Sequence, residues 1–183
     1  MRERIVLPGI GGSGPDHWQS LWERGDPQMR RFAPDSWDHP RLDAWCAALD
    51  VAVEGATEPP LLVAHSLACL LVAHWSARSR LRVAGAFLVA IPDPHGPAFP
   101  AEARDFADPP ERPLRFPSLV VASADDPYGS MGHARSRAEQ WGSSLVDAGP
   151  LGHVNAASGL GDWPWGREHL RGFEAGLVDS PVG

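Results

Sequence analysis

The sequence predicts an α/β protein built on a doubly wound parallel sheet. Three observations carry this. The strand-like runs, such as Leu61-Leu62-Val63-Ala64 and Phe87-Leu88-Val89, are apolar at every position. Strands without polar alternation are buried on both faces, as in a parallel sheet covered by helices. Those runs also alternate along the chain with segments of helical periodicity. Finally, 183 residues with 43% hydrophobic and 21% charged side chains are enough for one domain with a sizeable core. No repeat or shift in composition divides residues 1–183, so a single domain is expected.

The elements follow in order. Ile5-Val6-Leu7 reads as a buried strand, stopped by Pro8 and a glycine cluster. Residues 17–23 suit a short helix, and Arg30-Arg31-Phe32 a second, weaker strand. Residues 41–53 place Leu42, Trp45, Cys46 and Leu49 at helical spacing. The run at Leu61 is the third strand, and residues 69–77 continue as a helix. Residues 83–90 form a fourth apolar run and Ser118-Leu119-Val120-Val121-Ala122 a fifth. A helix over 132–141, a short strand at Leu145-Val146 and a closing helix over 166–177 complete about six strands. Residues 92–117 stand apart. Seven prolines (Pro92, Pro94, Pro97, Pro100, Pro109, Pro110, Pro113) precede Pro117 and exclude continuous regular structure, although 101–106 suit one helical turn. A loop of that length in a compact domain is usually functional.

Charge and cysteines exclude other classes. The net charge is -7 and lysine is absent, so the chain lacks the clustered Lys and Arg of a nucleic-acid surface. Cys46 and Cys69 lie in apolar, helix-like stretches and read as buried free thiols rather than a disulfide framework. The opening Met1-Arg2-Glu3-Arg4 leads straight into a strand without the apolar core of a signal peptide, and no window has the length of a membrane span. A cytoplasmic location is expected, with neither nucleic acid nor membrane as partner.

The chemistry centres on Ala64-His65-Ser66-Leu67-Ala68. An apolar strand ends at a serine with a small residue two positions away on each side, and an apolar helical stretch follows. That is the layout of a nucleophile elbow, with alanine in both glycine positions of Gly-x-Ser-x-Gly. An acid is expected in the turn after a late strand. Asp126 is the better placed, Asp125 is the alternative, and a helix-capping turn is the competing reading. A base is expected after one more strand, where Gly152-His153 lies in a loop. The order Ser66, Asp126, His153 is that of α/β-hydrolases. An oxyanion hole needs two backbone N–H groups. Leu67 follows the nucleophile, and the glycine loop after the first strand offers Ile10, with Gly11 as alternative. Trp18, Trp163 and Trp165 fall near these loops, where aromatic rings line apolar pockets; packing of loops onto the sheet competes for Trp18 and Trp163. His65 supports the elbow or joins that pocket. No HExxH or CxxC pattern points to a metal, and no cofactor is expected.

Gly9-Ile10-Gly11-Gly12-Ser13-Gly14 also fits the GxGxxG dinucleotide fingerprint, with Asp35 near the ribose-binding position. Pro15 stands where the helix should already run, and this reading leaves Ser66, Asp126 and His153 unexplained.

Four blocks together carry a resemblance that spans nearly the whole chain: Pro8-Gly9 with Asp16-His17-Trp18-Gln19; His65-Ser66-Leu67; Ser123 with Asp125-Asp126-Pro127-Tyr128; and Gly152-His153-Val154-Asn155 with Ser158-Gly159, Gly161 and Trp163-Pro164-Trp165-Gly166. On these the chain resembles the retinoblastoma-binding protein 9/YdeN (RBBP9/YdeN) family of small serine hydrolases. The resemblance implies a minimal α/β-hydrolase fold without a large lid domain. It also implies Ser66 as nucleophile, His153 as base and Asp126 as acid in a carboxylesterase-like enzyme that cleaves a small ester or amide through an acyl-enzyme. Hydrolases build lids where residues 92–117 lie. A hydrolase-fold binding protein with weak or no catalysis is the alternative, because fold does not fix function. A retinoblastoma-type partner is not implied: Leu67-Ala68-Cys69-Leu70-Leu71 comes nearest to LxCxE and ends in leucine.

Overall fold

The computed structural model describes residues 2–178. Its elements are β1 (Arg4–Leu7), α1 (Trp18–Gly25), β2 (Met29–Arg31), α2 (Leu42–Glu54), β3 (Leu61–His65), α3 (Leu67–Arg78), β4 (Gly85–Val89), β5 (Ser118–Ala122), α4 (Met131–Trp141), β6 (Ser144–Asp147) and α5 (Pro164–Val178), with 3-10 turns at Ala101–Phe106 and Ala156–Ser158. The six strands are parallel, in the order β2-β1-β3-β4-β5-β6. This is the expected α/β-hydrolase sheet. Among the described residues no helix is long and apolar enough to cross a membrane.

The uniformly apolar strands feed two cores, one on each face. Ile5, Leu7, Leu62, Ala64, Ala86, Leu88, Val120 and Ala122 point to the side covered by α2, α3 and α4. Val6, Leu61, Val63, Phe87, Val89 and Val121 point to the side covered by α1 and α5. The two sets alternate residue by residue, as a pleated strand requires. Aromatic side chains fill both layers. Phe32, Trp37, Trp45 and Phe106 meet edge to face at 5.4–5.8 Å on the first side. Trp18, Trp22 and Trp163 pack together at 4.5–6.0 Å on the second. The buried Arg4 is paired with Asp26 at 2.9 Å and Glu174 at 2.6 Å, which ties β1 to the end of α1 and to α5.

The chain leaves β1 outward to β2, then returns across β1 to place β3 on its other side. The order therefore reverses between β1 and β3, and the carboxyl ends of strands at such a switch point are where α/β sheets bind ligands. The loop after β1 and the elbow after β3 both open there. The proline-rich excursion is tied to the core through its 3-10 turn. Phe106 is fully buried, and the His74 Nε2–H donates to its carbonyl at 3.1 Å.

Candidate active site

The turn from β3 to α3 is strained at Ser66, which has φ 55° and ψ -124°. A non-glycine residue there costs on the order of 1–3 kcal/mol and persists only where its surroundings over-determine it. They do so here. The Ser66 N–H donates to the Val89 carbonyl at 2.9 Å, and its own carbonyl accepts from Cys69 N–H at 2.9 Å. Ala64 and Ala68 are both fully buried, so the alanines fill the space that glycines usually leave. Gly9 lies against the elbow from the other side. A Cβ there would stand 3.1 Å from Ser66 Cβ, 3.2 Å from the His65 carbonyl and 3.3 Å from the Leu67 nitrogen.

The elbow directs the Ser66 hydroxyl to His153. The Ser66 Oγ lies 2.8 Å from His153 Nε2, and His153 Nδ1 lies 2.9 and 3.0 Å from the two oxygens of Asp126. With Nδ1–H donating to the carboxylate, Nε2 keeps a lone pair for the serine proton. The Asp126 side chain is 2% exposed, so its interaction with the imidazole is poorly screened by solvent. Asp126 also accepts the Tyr128 N–H at 2.9 Å, and the Tyr128 ring packs 4.4 Å from the His153 ring. The helix cap that competed for the aspartates falls instead to Ser130, which accepts the His133 N–H at 3.1 Å.

Asp125 does different work. Its Oδ1 accepts the Gly152 N–H at 2.7 Å and the Ser123 hydroxyl at 2.9 Å. The Ser123 oxygen in turn accepts the Leu151 N–H at 2.9 Å. The Gly152 amide, with Ser123 after it, holds the Asp125 carboxyl below the usual carboxylate range. Asp125 thus fastens the loop that carries His153. Two more side chains fasten it. Trp18 Nε1–H donates to the Val154 carbonyl at 2.8 Å, and His65 Nε2–H donates to the His153 carbonyl at 2.9 Å. Gly152 at φ 59° and Val154 at φ 50° give the loop its tight turn around His153.

The glycine loop separates the two oxyanion candidates from β1. The Gly11 N–H donates to the Trp37 carbonyl at 3.2 Å, so that alternative is committed elsewhere. Leu67 is the first residue of α3, where the helix itself supplies no acceptor for the N–H. Gln19, fully inside the protein, braces the loop. Its Nε2 donates to the carbonyls of Leu7 at 3.2 Å and Val63 at 3.0 Å, and its Oε1 accepts the Ser13 hydroxyl at 2.7 Å. The dinucleotide reading does not fit this loop. The helix begins only at Trp18, four residues after Gly14, and Gly9 is pressed against the elbow. Asp35 is exposed and paired with Arg41 at 2.5 Å.

A cleft of about 430 Å³ opens over Ser66 and His153. Ile10, Leu67, Pro92, Phe99 and Tyr128 form its apolar walls, and the exposed Asp38, His39 and Glu102 also line it. The residues expected to form the pocket are corrected on this point. Trp18 and Trp163 are 1% and 3% exposed and pack under the loops, and Trp165 stacks on His169 at 3.7 Å; none of the three lines the cleft. His65 is buried beneath the elbow and borders a separate, smaller hollow. Sequence reasoning missed Phe99 and Tyr128 as walls, and Gln19 and His17 as supports. The Asp16-His17-Trp18-Gln19 block was the available signal for the last two. Among the described residues no three His, Cys, Asp or Glu side chains converge as a metal site.

A family model described as serine hydrolase matches residues 4–172. The chain belongs to the serine hydrolase family. It is 34% identical to a YdeN-like hydrolase from Pectobacterium atrosepticum, over 97% of this chain and 92% of that one, with a TM-score of 0.87. The ydeN gene product of B. subtilis, 21% identical over 96% and 100% of the two chains, shares the fold with a TM-score of 0.79. A monoacylglycerol lipase from Paleococcus ferrophilus, 15% identical over 96% and 93%, also shares it, with a TM-score of 0.66. No curated protein sequence matches the chain significantly.

Proposed function

We propose that this serine hydrolase cleaves a small ester or amide through an acyl-enzyme, with Ser66 as nucleophile, His153 as general base and acid, and Asp126 as the orienting carboxylate. The continuous path from Ser66 Oγ through the imidazole to the buried Asp126 carboxylate carries the reading.

His153 Nε2 takes the Ser66 proton as Oγ attacks the carbonyl carbon. Asp126 keeps the imidazole in the tautomer that can accept that proton and stabilises the imidazolium that forms. The Leu67 and Ile10 N–H groups receive the negative charge on the carbonyl oxygen, each donor contributing about 3 kcal/mol in the transition state. Both residues border the cleft next to Ser66, and the close approach of Gly9 to Leu67 brings the two backbones together. Collapse of the tetrahedral intermediate breaks the bond to the leaving group, which takes the proton from His153. Water, activated by the same imidazole, then releases the acid. A cleft of about 430 Å³ with apolar walls suits a small acyl group.

The test is covalent labelling with a fluorophosphonate together with hydrolysis of p-nitrophenyl butyrate. Labelling at Ser66 and loss of both signals in Ser66→Ala are expected. Hydrolysis that persists in folded Ser66→Ala would sink the mechanism.

A further inference from the structure

Part of the cleft wall is held by a crossing of two loops. Residues 90–93 lead out of β4 into the proline-rich excursion, and residues 123–130 lead from β5 into α4. Where they cross, the Asp93 N–H donates to the Tyr128 carbonyl at 2.8 Å. His133, in the first turn of α4, reaches the same place. The Pro92 carbonyl can only accept, so the His133 Nε2–H donates to it at 3.1 Å. Gly129 lets the two backbones come this close. It is buried, and a Cβ there would collide with the Ile91 carbonyl oxygen and stand 3.3 Å from the Ile91 carbonyl carbon and 3.5 Å from the Asp93 nitrogen. A side chain at that position fits only if the loops part.

Both sides of the crossing reach the cleft. Pro92 and Tyr128 line it directly. Tyr128 is also tied to the candidate triad: its N–H donates to Asp126 at 2.9 Å, and its ring lies 4.4 Å from the His153 ring. Beyond Asp93, two successive turns carry the chain to a third wall. The Gly96 N–H donates to the Asp93 carbonyl at 3.0 Å and the Phe99 N–H to the Gly96 carbonyl at 3.1 Å, and Phe99 lines the cleft. Parting Asp93 from Tyr128 therefore shifts Pro92 and Phe99 relative to the ring that packs on His153. Gly129 and His133 do not line the cleft themselves.

We propose that Gly129 and His133 are specificity-determining positioning residues: by holding the Pro92–Phe99 wall to Tyr128, they limit the size of the acyl group that reaches Ser66. The proposal rests on the hydrolase reading above, in which an acyl group occupies the cleft. Apolar pockets discriminate by size, one methylene being worth about 10- to 200-fold in kcat/KM. A parted crossing thus reads out as an altered chain-length preference, which a merely structural role would leave unchanged.

The test is the ratio of kcat/KM for p-nitrophenyl octanoate to that for p-nitrophenyl butyrate. Gly129→Ala forces the loops apart and should raise the ratio about tenfold, the scale of one methylene. His133→Leu removes the N–H that holds the Pro92 carbonyl and should raise it in the same direction. His133→Gln, which restores an N–H, should return it towards the native value. The two histidine variants keep the test decisive if Gly129→Ala does not fold. An unchanged ratio in the folded variants, including one in which both esters slow alike, overturns the proposal. Hydrolysis of the butyrate by the native protein, abolished in Ser66→Ala, shows in that event that the hydrolase reading stands. Absence of any Ser66-dependent hydrolysis overturns the hydrolase reading and the proposal with it.

Discussion

The His65 Nε2–H donates to the backbone carbonyl of His153 across 2.9 Å, and the two rings pack 5.0 Å apart. The residue before Ser66 therefore holds the backbone of the histidine that faces the Ser66 hydroxyl. The bond joins the rigid end of β3 to a loop whose position sets the Ser66–His153 distance. His65→Leu, which keeps much of the volume and removes the donor, should lower kcat roughly 10- to 100-fold with KM little changed, since His65 does not line the cleft. His65→Gln, which restores an N–H, should recover part of the loss. Steady-state kinetics of both variants check this; a change confined to KM would count against it.

Adjacent aspartates should separate cleanly. Asp126→Asn leaves the shape intact and presents the wrong tautomer to His153, so kcat should fall by roughly ten-thousand-fold with stability nearly unchanged. Asp125→Asn should weaken the bonds to Gly152 and Ser123 and lower the urea midpoint, with a much smaller loss of rate. Urea unfolding and kinetics on the two variants decide the assignment. Equal losses of rate would reject it.

Acid should destabilise the fold through its buried histidines. Burial, with Arg31 nearby, lowers the His17 pKa from 6.5 to about 4, and burial lowers His65 well below 6.5. Between those values the unfolded chain binds a proton that the folded chain refuses. The stabilisation is therefore complete above pH 6.5 and is lost as pH falls towards 4. For His17, at 1.36 kcal/mol per pH unit between 6.5 and about 4, the loss is about 3 kcal/mol. Melting curves from pH 7.5 to 4.5 should show a shallower decline for His17→Phe than for the native protein. Parallel declines would contradict the assignment.

Gly9→Ala probes the contact between glycine loop and elbow. The added methyl meets Ser66 Cβ at 3.1 Å and two backbone atoms at 3.2 and 3.3 Å, so the loop that carries Ile10 must give way. A displacement of a few tenths of an ångström at an oxyanion donor should cost about tenfold or more in kcat, against a Tm change of only a few degrees. Unaltered kcat would remove Ile10 from the oxyanion hole.

Much of this site was legible in the chain because its signals are local. Unbroken apolar runs mark strands buried on both faces. The small residues around Ser66 mark a turn that only small neighbours permit. Ser66, Asp126 and His153 each follow a strand, so once the strands are parallel their carboxyl ends bring the three side chains to one edge. The sequence could thus identify the sheet, the elbow and the chain order of the candidate triad.

Other choices depended on direction, which contacts distant in sequence decide. Asp125 and Asp126 are neighbours with the same chemistry. Their carboxylates point to different partners because Gly152 and His153, from a loop far along the chain, meet one each. Ile10 and Gly11 differ because the Trp37 carbonyl claims the second amide. Trp18 and Trp163 are as apolar as any pocket wall, yet they lie under the loops because α1 and the segment before α5 meet on one face of the sheet. The sequence alone determined the strands, the elbow and the chain order of the candidate residues; the tertiary structure decided where each points, because a side chain's direction is set by the neighbours that folding brings to it.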